Sequence, residues 1–356
     1  MSDMLENVFS ACSDGVICER DGKILYLNGA AKRLCPKLSA GDDLSGLFSE
    51  ELTGGSGKYS FTVPMGGTTA DVYVCPTEEG RLFMCRVLPE ADMRQAVVCS
   101  NLGRAMRDSL AVCRLALELI RPYVENAADE SLSDYTSMIE HGGFSVTRLA
   151  DCLSRLGEDS IAANEDCAFD AVRVCRELTD SVALMTGKAC AELSFEAAAK
   201  ELWVPGYAHL IEEALLHLLS NSLKFTPKDG RVTVSVSRRG KNAVIKVTDT
   251  GSGIPDDVIG TVFRRYAEEP KLSLGRLGAG FGLAAVRRIV SAFGGSVMIS
   301  SGKKRGTDAV ITLPAPKEAE AFRAGGDKYE NCGILPLLTI LADVLPSDKY
   351  LPQYLD

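Results

Sequence analysis

A chain of 356 residues is too long to fold around one ordinary hydrophobic core, which predicts two or three domains. Hydrophobic residues make up 46% and charged residues 24%, the composition of a soluble globular protein. The net charge of −9 and the lack of a long Lys/Arg block argue against nucleic acid or an anionic membrane surface as the main partner.

The N-terminal sequence, the longest apolar stretch and the cysteines predict the cellular compartment of the protein. No basic start or apolar run follows Met1, so no signal peptide is predicted. The longest apolar stretch, about 333–345, contains Pro336 and Asp343 and is too short to span a bilayer. The twelve cysteines include no Cys-x-x-Cys pair, so they are expected to be small apolar residues in a reducing, cytoplasmic compartment.

Residues 1–88 have the pattern of a small α+β unit. Two strand-like runs, 15–19 and 23–27, meet at Asp21-Gly22, a strong hairpin indication, and Asn28 is placed to cap a following helix. Three further strand-like runs follow, near 59–63, 70–74 and 81–87. This order resembles a PAS sensor domain. Since His141 is the first histidine of the chain, a histidine-ligated haem in this unit is excluded, and both a small-molecule sensor and a unit for dimer contacts or signal relay remain open.

Residues 90–158 change to a helical period. One apolar stripe contains Leu102, Met106, Cys113, Leu117 and Ile120, and a second contains Tyr135, Ile139, Val146, Leu149, Leu153 and Leu156. Gly142 and Gly143 fall within the second helix and cost it about 1 kcal/mol each relative to alanine. Two such helices predict an antiparallel hairpin that a second copy completes into a homodimeric four-helix bundle, the alternative being a hairpin packed against its own chain.

The predicted helix over 208–225 carries Asn221 and Lys224 near its end. Because they are three residues apart, their side chains share a face. An amide oxygen suits Mg²⁺, and a lysine offers a positive charge to phosphate. By itself, this spacing is more often a solvated face.

A predicted hairpin of strands over 231–237 and 243–248 ends in Asp249, followed by Gly251 and Gly253. A carboxylate at a strand end can accept a hydrogen bond from the amino group of adenine, and glycines let the backbone approach the ring. A turn with Asp and Gly is also common without any ligand.

A third motif, Gly278-x-Gly280-x-Gly282-Leu283, opens a helix that Gly294 and the next glycine end. Free N–H groups at such a start suit a polyphosphate. The glycine spacing differs from the dinucleotide fingerprint, and no strand leads into it.

The three motifs occur in this order within about 65 residues, and at this point the sequence resembles the catalytic domain of sensor histidine kinases. Their superfamily also includes gyrase and a class of heat-shock chaperones. The resemblance implies a multidomain α+β protein with a PAS-like domain (1–88), a dimerisation hairpin (90–158) and a Bergerat-type α/β sandwich that binds ATP (165–315). A linker and a short apolar segment of unknown role fill 316–356.

Carried over by position, the resemblance implies that Asn221 ligates Mg²⁺, that Lys224 contacts phosphate and that Asp249 holds adenine. It places the other nucleotide contacts at Phe225, Gly251, Gly253, Phe263, Gly278, Gly280, Gly282, Leu283 and Thr307, with Phe263 anchoring a lid. His217 stands where the family usually has a second asparagine, and it could still polarise or hydrogen-bond there. His217 and Lys224 are the candidate catalytic groups.

The phospho-accepting histidine of the family is not found at its usual place. The matching stretch, 103–110, has Arg104 there, and a guanidinium stays protonated and cannot act as the nucleophile. Besides His209 and His217 of the nucleotide domain, the chain has His141, a weak candidate for a substitute acceptor on the second hairpin helix.

Two functions are therefore predicted. The first is a two-component enzyme that uses ATP to phosphorylate a partner's histidine, or another side chain of its own. The second is a kinase-like regulator in which ATP controls docking to a kinase or a response regulator. An anti-sigma-type serine kinase of the same superfamily is disfavoured by the hairpin and the PAS-like unit.

Overall fold

The structure is a computed structural model. It describes residues 8–10, 12–44, 48, 52, 57–65, 68–78, 80–87, 93–127, 130–156, 167–263, 281–301, 306–316 and 334–350.

The first unit begins with the predicted hairpin. Strands β1 (Gly15–Arg20) and β2 (Lys23–Leu27) pair antiparallel around Asp21 and Gly22, whose φ angles of 52° and 83° are those of a tight primed turn. Helix α1 (Gly29–Leu34) starts at Asn28, whose side chain accepts a hydrogen bond from the Ala31 N–H. The Asn28 amide also binds backbone groups of neighbouring segments, so this cap fixes the helix against the sheet.

Strands β3 (Tyr59–Met65), β4 (Thr68–Thr77) and β5 (Gly80–Val87) complete this unit and are longer than predicted. The antiparallel order is β2-β1-β5-β4-β3. Phe48 packs against Phe61 and Phe83 at ring-centroid distances of 5.1 and 5.6 Å in its core.

Two long helices, α2 (Met93–Ala127) and α3 (Glu130–Leu156), form the predicted hairpin. They pack closely at Gly103, where a Cβ would lie 2.4 Å from the Ala150 carbonyl oxygen. Helix α3 runs through Gly142 and Gly143 without a break. Many members of the apolar stripes stay exposed in the single chain, among them Leu102, Cys113, Ile120, Tyr135 and Ile139.

The third unit is a sheet covered on one face by helices. Its elements in chain order are β6 (Ala168–Asp170), α4 (Ala171–Thr186), β7 (Glu192–Ala197), β8 (Trp203–Pro205), α5 (Ala208–Phe225), β9 (Arg231–Arg239), β10 (Asn242–Asp249), α6 (Phe281–Ala292), β11 (Ser296–Ser301) and β12 (Thr307–Pro314). The strand order of this sheet is β11-β12-β10-β9-β7, with β7 parallel to β9, while β6 and β8 pair in a separate two-stranded sheet. Strand residues such as Ile245 and Val247 share one core with helices α4, α5 and α6.

The opposite face of this sheet meets the first unit. Val244, Met298 and Val310 are buried in the same cluster as the core of the first unit. Strands β3 and β11 also pair antiparallel, which joins the two sheets into one of ten strands. An ion pair of Arg287 with Asp71, 3.0 Å long and mostly buried, reinforces this junction.

The end of the chain returns to the molecule. Helix α7 (Ile334–Ile340) and a 3₁₀ turn (Ser347–Tyr350) lie against α3, and α7 also contacts α5. We call residues 334–350 the C-terminal clamp. Within the described part of the chain, no helix combines the length and apolar character needed to cross a bilayer.

Candidate nucleotide-binding site

Asp249 is the best-defined polar group of the site. Its Oδ1 accepts hydrogen bonds from the N–H groups of Gly251 and Thr307 at 2.9 and 3.0 Å, and its Oδ2 accepts one from Ser222 Oγ at 3.1 Å. Burial raises the pKa of Asp249, although these three donors oppose the shift. Since a carboxylate oxygen has two lone pairs, Oδ2 keeps capacity for one further donor.

Glycines around Asp249 make this close packing possible. A Cβ on Gly251 would lie 2.6 Å from the Phe225 carbonyl oxygen, and one on Gly306 would lie 1.7 Å from that of Asp249. Gly253 and Gly306 have φ angles of 73° and 75°, where side chains are strained. The sequence predicted Gly251 and Gly253, whereas the requirement for glycine at Gly306 comes from the tertiary contact.

The end of α5 lies beside Asp249. The Ser222–Asp249 bond ties this helix to β10, and Asn221 and Lys224 lie on either side of Ser222 in the sequence of α5. Asn221 is half-buried, and its side chain makes no hydrogen bond with any residue that the structure describes. Lys224 Nζ donates to Asp343 Oδ2 of the C-terminal clamp at 3.3 Å. Phe225 lies at the helix end and is 47% exposed, so part of its ring is available to a planar ligand.

His217 faces α6 across the site. Its ring is buried, and Nε2 lies 3.8 Å from Glu213 Oε1. A Cβ on Gly282 would lie 3.4 Å from His217 Nδ1, so the last glycine of the Gly-x-Gly-x-Gly motif lies directly against this histidine. The two residues thus belong to the same contact between α5 and α6.

Of the remaining residues predicted for the nucleotide site, three are described by the structure and two are not. Leu283 packs at the edge of the core, Thr307 binds Asp249 through its N–H, and Phe263 is buried. Gly278 and Gly280 lie outside the described residues.

Three residues that sequence reasoning missed contribute to the site. Ser222 fixes Asp249, and Ser301 Oγ joins two loops by accepting from the Ile254 N–H at 2.7 Å and donating to the Gly306 carbonyl at 2.8 Å. Asp343 binds Lys224. Ser222 could have been found from its place beside Asn221, whereas Asp343 is 119 residues from Lys224 and no local pattern connects them.

The usual acceptor position, Arg104, and the candidate substitute acceptor, His141, have different surroundings on the helical hairpin. Arg104 is exposed on α2. His141 on α3 is engaged by the C-terminal clamp: its Nε2 lies 2.6 Å from the Ala342 carbonyl oxygen, and its ring centroid lies 4.8 Å from that of Tyr350.

Comparison with known proteins defines the class of this domain. Residues 206–317 match the family model described as histidine kinase-, DNA gyrase B- and HSP90-like ATPase. This range runs from the start of α5 to the end of β12 and contains every predicted site residue.

Curated relatives narrow the class further. Sensor protein CreC of Escherichia coli (strain K12) is 27% identical over 215 residues, 60% of this chain and 44% of that protein. Signal transduction histidine-protein kinase/phosphatase MprB of Mycolicibacterium vanbaalenii is 26% identical over 257 residues, 70% of this chain and 51% of that protein. Sporulation kinase D of Bacillus subtilis (strain 168) is 36% identical over 104 residues, 29% of this chain and 20% of that protein. The chain is therefore similar to sensor histidine kinases, and its residues 206–317 match this type of ATP-binding domain. It spans about half the length of these relatives or less.

Proposed function

We propose that this chain binds Mg·ATP between α5, β10 and α6 and acts in two-component signalling. The single observation that carries the proposal is the buried Asp249, held by three donors with one acceptor position of Oδ2 left for an adenine amino group. Glycines keep the surroundings of Asp249 open: a Cβ on Gly251 would lie 2.9 Å from Asp249 Oδ1, and one on Gly306 would lie 1.7 Å from the Asp249 carbonyl oxygen.

The residues of α5 fit the metal and the phosphates. Asn221 offers an amide oxygen that no described side chain or backbone group occupies, which suits a hard divalent cation. Lys224 offers a positive charge once it leaves Asp343, and Gly282 beside His217 marks the phosphate side. Bound Mg²⁺ would neutralise phosphate charge and make the γ-phosphorus more electrophilic.

We also propose a homodimer formed through the hairpin. Val112, Leu119 and Tyr123 of α2 are 68%, 66% and 76% exposed, and Tyr135 and Met138 of α3 are 62% and 61% exposed. Exposed apolar side chains that cluster on a helical hairpin indicate an interaction surface, and a second hairpin would cover it.

The five-stranded antiparallel unit with its capped helix supports the interpretation of 1–88 as a PAS-like domain, with either sensing or relay as its role. The free cysteines of the described residues support a reducing, cytoplasmic location.

Two uses of bound ATP follow. In the first, the protein transfers the γ-phosphoryl group to a histidine of a partner protein, or to another side chain of its own. In the second, it is a regulator without phosphotransfer, whose ATP-bound form docks on a kinase or a response regulator. The second is favoured by Arg104 at the acceptor position and by His141 being covered by Tyr350 and bonded to a backbone carbonyl.

The deciding experiment uses γ-labelled ATP with the protein alone and with purified candidate partners. An acid-labile label on a partner histidine supports transfer, and binding of ATP without label on any protein supports the regulator. His141→Gln is the matched control: its label should equal that of the wild type, and loss of an acid-labile label on the protein itself would make His141 the acceptor. If calorimetry finds no Mg·ATP binding at millimolar nucleotide, both uses are refuted.

A further inference from the structure

The C-terminal clamp bridges the hairpin and the nucleotide-binding domain. On the hairpin side, Ser137 Oγ donates to the Ser347 carbonyl at 2.8 Å, and His141 Nε2 lies 2.6 Å from the Ala342 carbonyl oxygen. Leu338, Leu341 and Tyr350 are fully buried in one core with α5 residues. The clamp is therefore docked by apolar contacts and hydrogen bonds that do not involve the site itself.

One charged group of the clamp reaches the site. Asp343 Oδ2 lies 2.6 Å from Arg148 Nη1 of the hairpin and 3.3 Å from Lys224 Nζ. The side chains of Arg148, Lys224 and Asp343 are 13%, 18% and 26% exposed, so water screens this triad only in part. Burial alone would raise the pKa of Asp343, but the charges of Arg148 and Lys224 bring it below its usual value. The carboxylate is therefore ionised at neutral pH.

Asp343 and a nucleotide phosphate require the same partner. Lys224 carries a single ammonium group, whose donors form a compact positive charge. An anion that already neutralises this ammonium lowers what a second anion gains by approaching it, and the partial burial of the pair strengthens the competition.

We propose that the C-terminal clamp is an autoinhibitory element: its Asp343 carboxylate binds Lys224 in place of an ATP phosphate and holds the nucleotide-binding domain against the hairpin. This inference rests on the proposed function, because it takes Lys224 to be the phosphate-binding lysine. Reciprocity requires that Mg·ATP loosen the clamp to the same extent as the clamp weakens Mg·ATP. A partner that captures the clamp would then increase nucleotide affinity and free α3 and α5 to move apart.

The first test measures Mg·ATP affinity by calorimetry for the full chain, for Asp343→Asn and for the control Asp348→Asn. Asparagine has nearly the same shape as aspartate without the charge, and we expect the Asp343→Asn variant to bind Mg·ATP about three- to tenfold more tightly. Asp348 is an exposed carboxylate of the same segment, so its amide variant should bind like the wild type. In a Lys224→Gln background, the gain from Asp343→Asn should disappear, because the shared partner is gone.

The second test uses the unmodified chain, so it does not depend on how well a variant folds. Hydrogen exchange of residues 334–350 should accelerate when Mg·ATP saturates the protein, while that of strands β1 to β5 should not. Equal affinity of wild type and Asp343→Asn, or unchanged exchange of the clamp, would overturn the autoinhibitory contact and leave the proposed function intact. Lack of Mg·ATP binding by both proteins would refute the proposed function and, with it, the competition at Lys224.

Discussion

Replacing Asp249 by asparagine separates its contribution to folding from the contribution that we propose for it in nucleotide recognition. Asparagine can keep all three hydrogen bonds of Asp249: its Oδ1 accepts from the N–H groups of Gly251 and Thr307, and the Ser222 hydroxyl can turn to accept from Nδ2. The fourth position then changes from acceptor to donor. An adenine amino group would meet an N–H instead of a carboxylate oxygen.

The two expected effects differ in sign. A hydrogen bond to a charged acceptor contributes about 1.5–3 kcal/mol, so Asp249→Asn should weaken Mg·ATP binding by about 10- to 150-fold. Stability should not fall with it. The folded pKa of Asp249 is raised above its ordinary value of 3.8 by burial, so the folded state binds more protons between the two values. Asp249 therefore lowers stability as pH rises through that window, and the lower stability persists at neutral pH. The uncharged variant should unfold at the same or a higher temperature at pH 7.

Calorimetric titration with Mg·ATP and thermal unfolding between pH 3 and pH 7 measure both effects. The wild-type affinity should also fall as pH drops through the raised pKa of Asp249, because the protonated carboxyl loses acceptor capacity. Asp229→Asn is the matched control, an exposed aspartate of the same domain whose change should alter neither property. An Asp249→Asn variant that binds Mg·ATP within twofold of the wild type would contradict the role of Asp249 as the adenine acceptor.

Three further changes test the site, the domain junction and the dimer. Gly251→Ala should lower stability by about 1–3 kcal/mol in urea unfolding, because its Cβ would lie 2.6 Å from the Phe225 carbonyl oxygen; an unchanged midpoint would contradict that contact. Asp71→Ala should cost about 3 kcal/mol by the same assay, because it removes the charge that Arg287 meets at 3.0 Å, and a loss below about 1 kcal/mol would argue against a buried pair. Cys113 should react with a thiol reagent more slowly as protein concentration rises, since it lies on the exposed hairpin stripe that a second copy would cover; a rate independent of concentration would argue against that dimer.

Local patterns in the sequence were enough to predict most elements. The Asp21-Gly22 turn, the Asn28 cap and α5 from 208 to 225 appear in the structure where they were predicted. Each depends on backbone preferences or on a period of a few residues, and such information is present in the segment itself. The same holds for Asp249 with Gly251, because the end of a strand and the next turn are adjacent in the chain.

Contacts between distant segments had no such local pattern. The pairing of β3 with β11, the Asp71–Arg287 ion pair and the place of Asp343 on Lys224 join residues more than a hundred positions apart. The apolar residues of 335–345 were visible in the sequence, but their burial depends on a surface that α3 and α5 create only after folding. The sequence by itself therefore determined, through residue type and spacing, which groups are proposed to hold Mg·ATP. Only the tertiary structure decided which residues each of these groups contacts, because the contacting residues come together through chain folding and not through proximity in sequence.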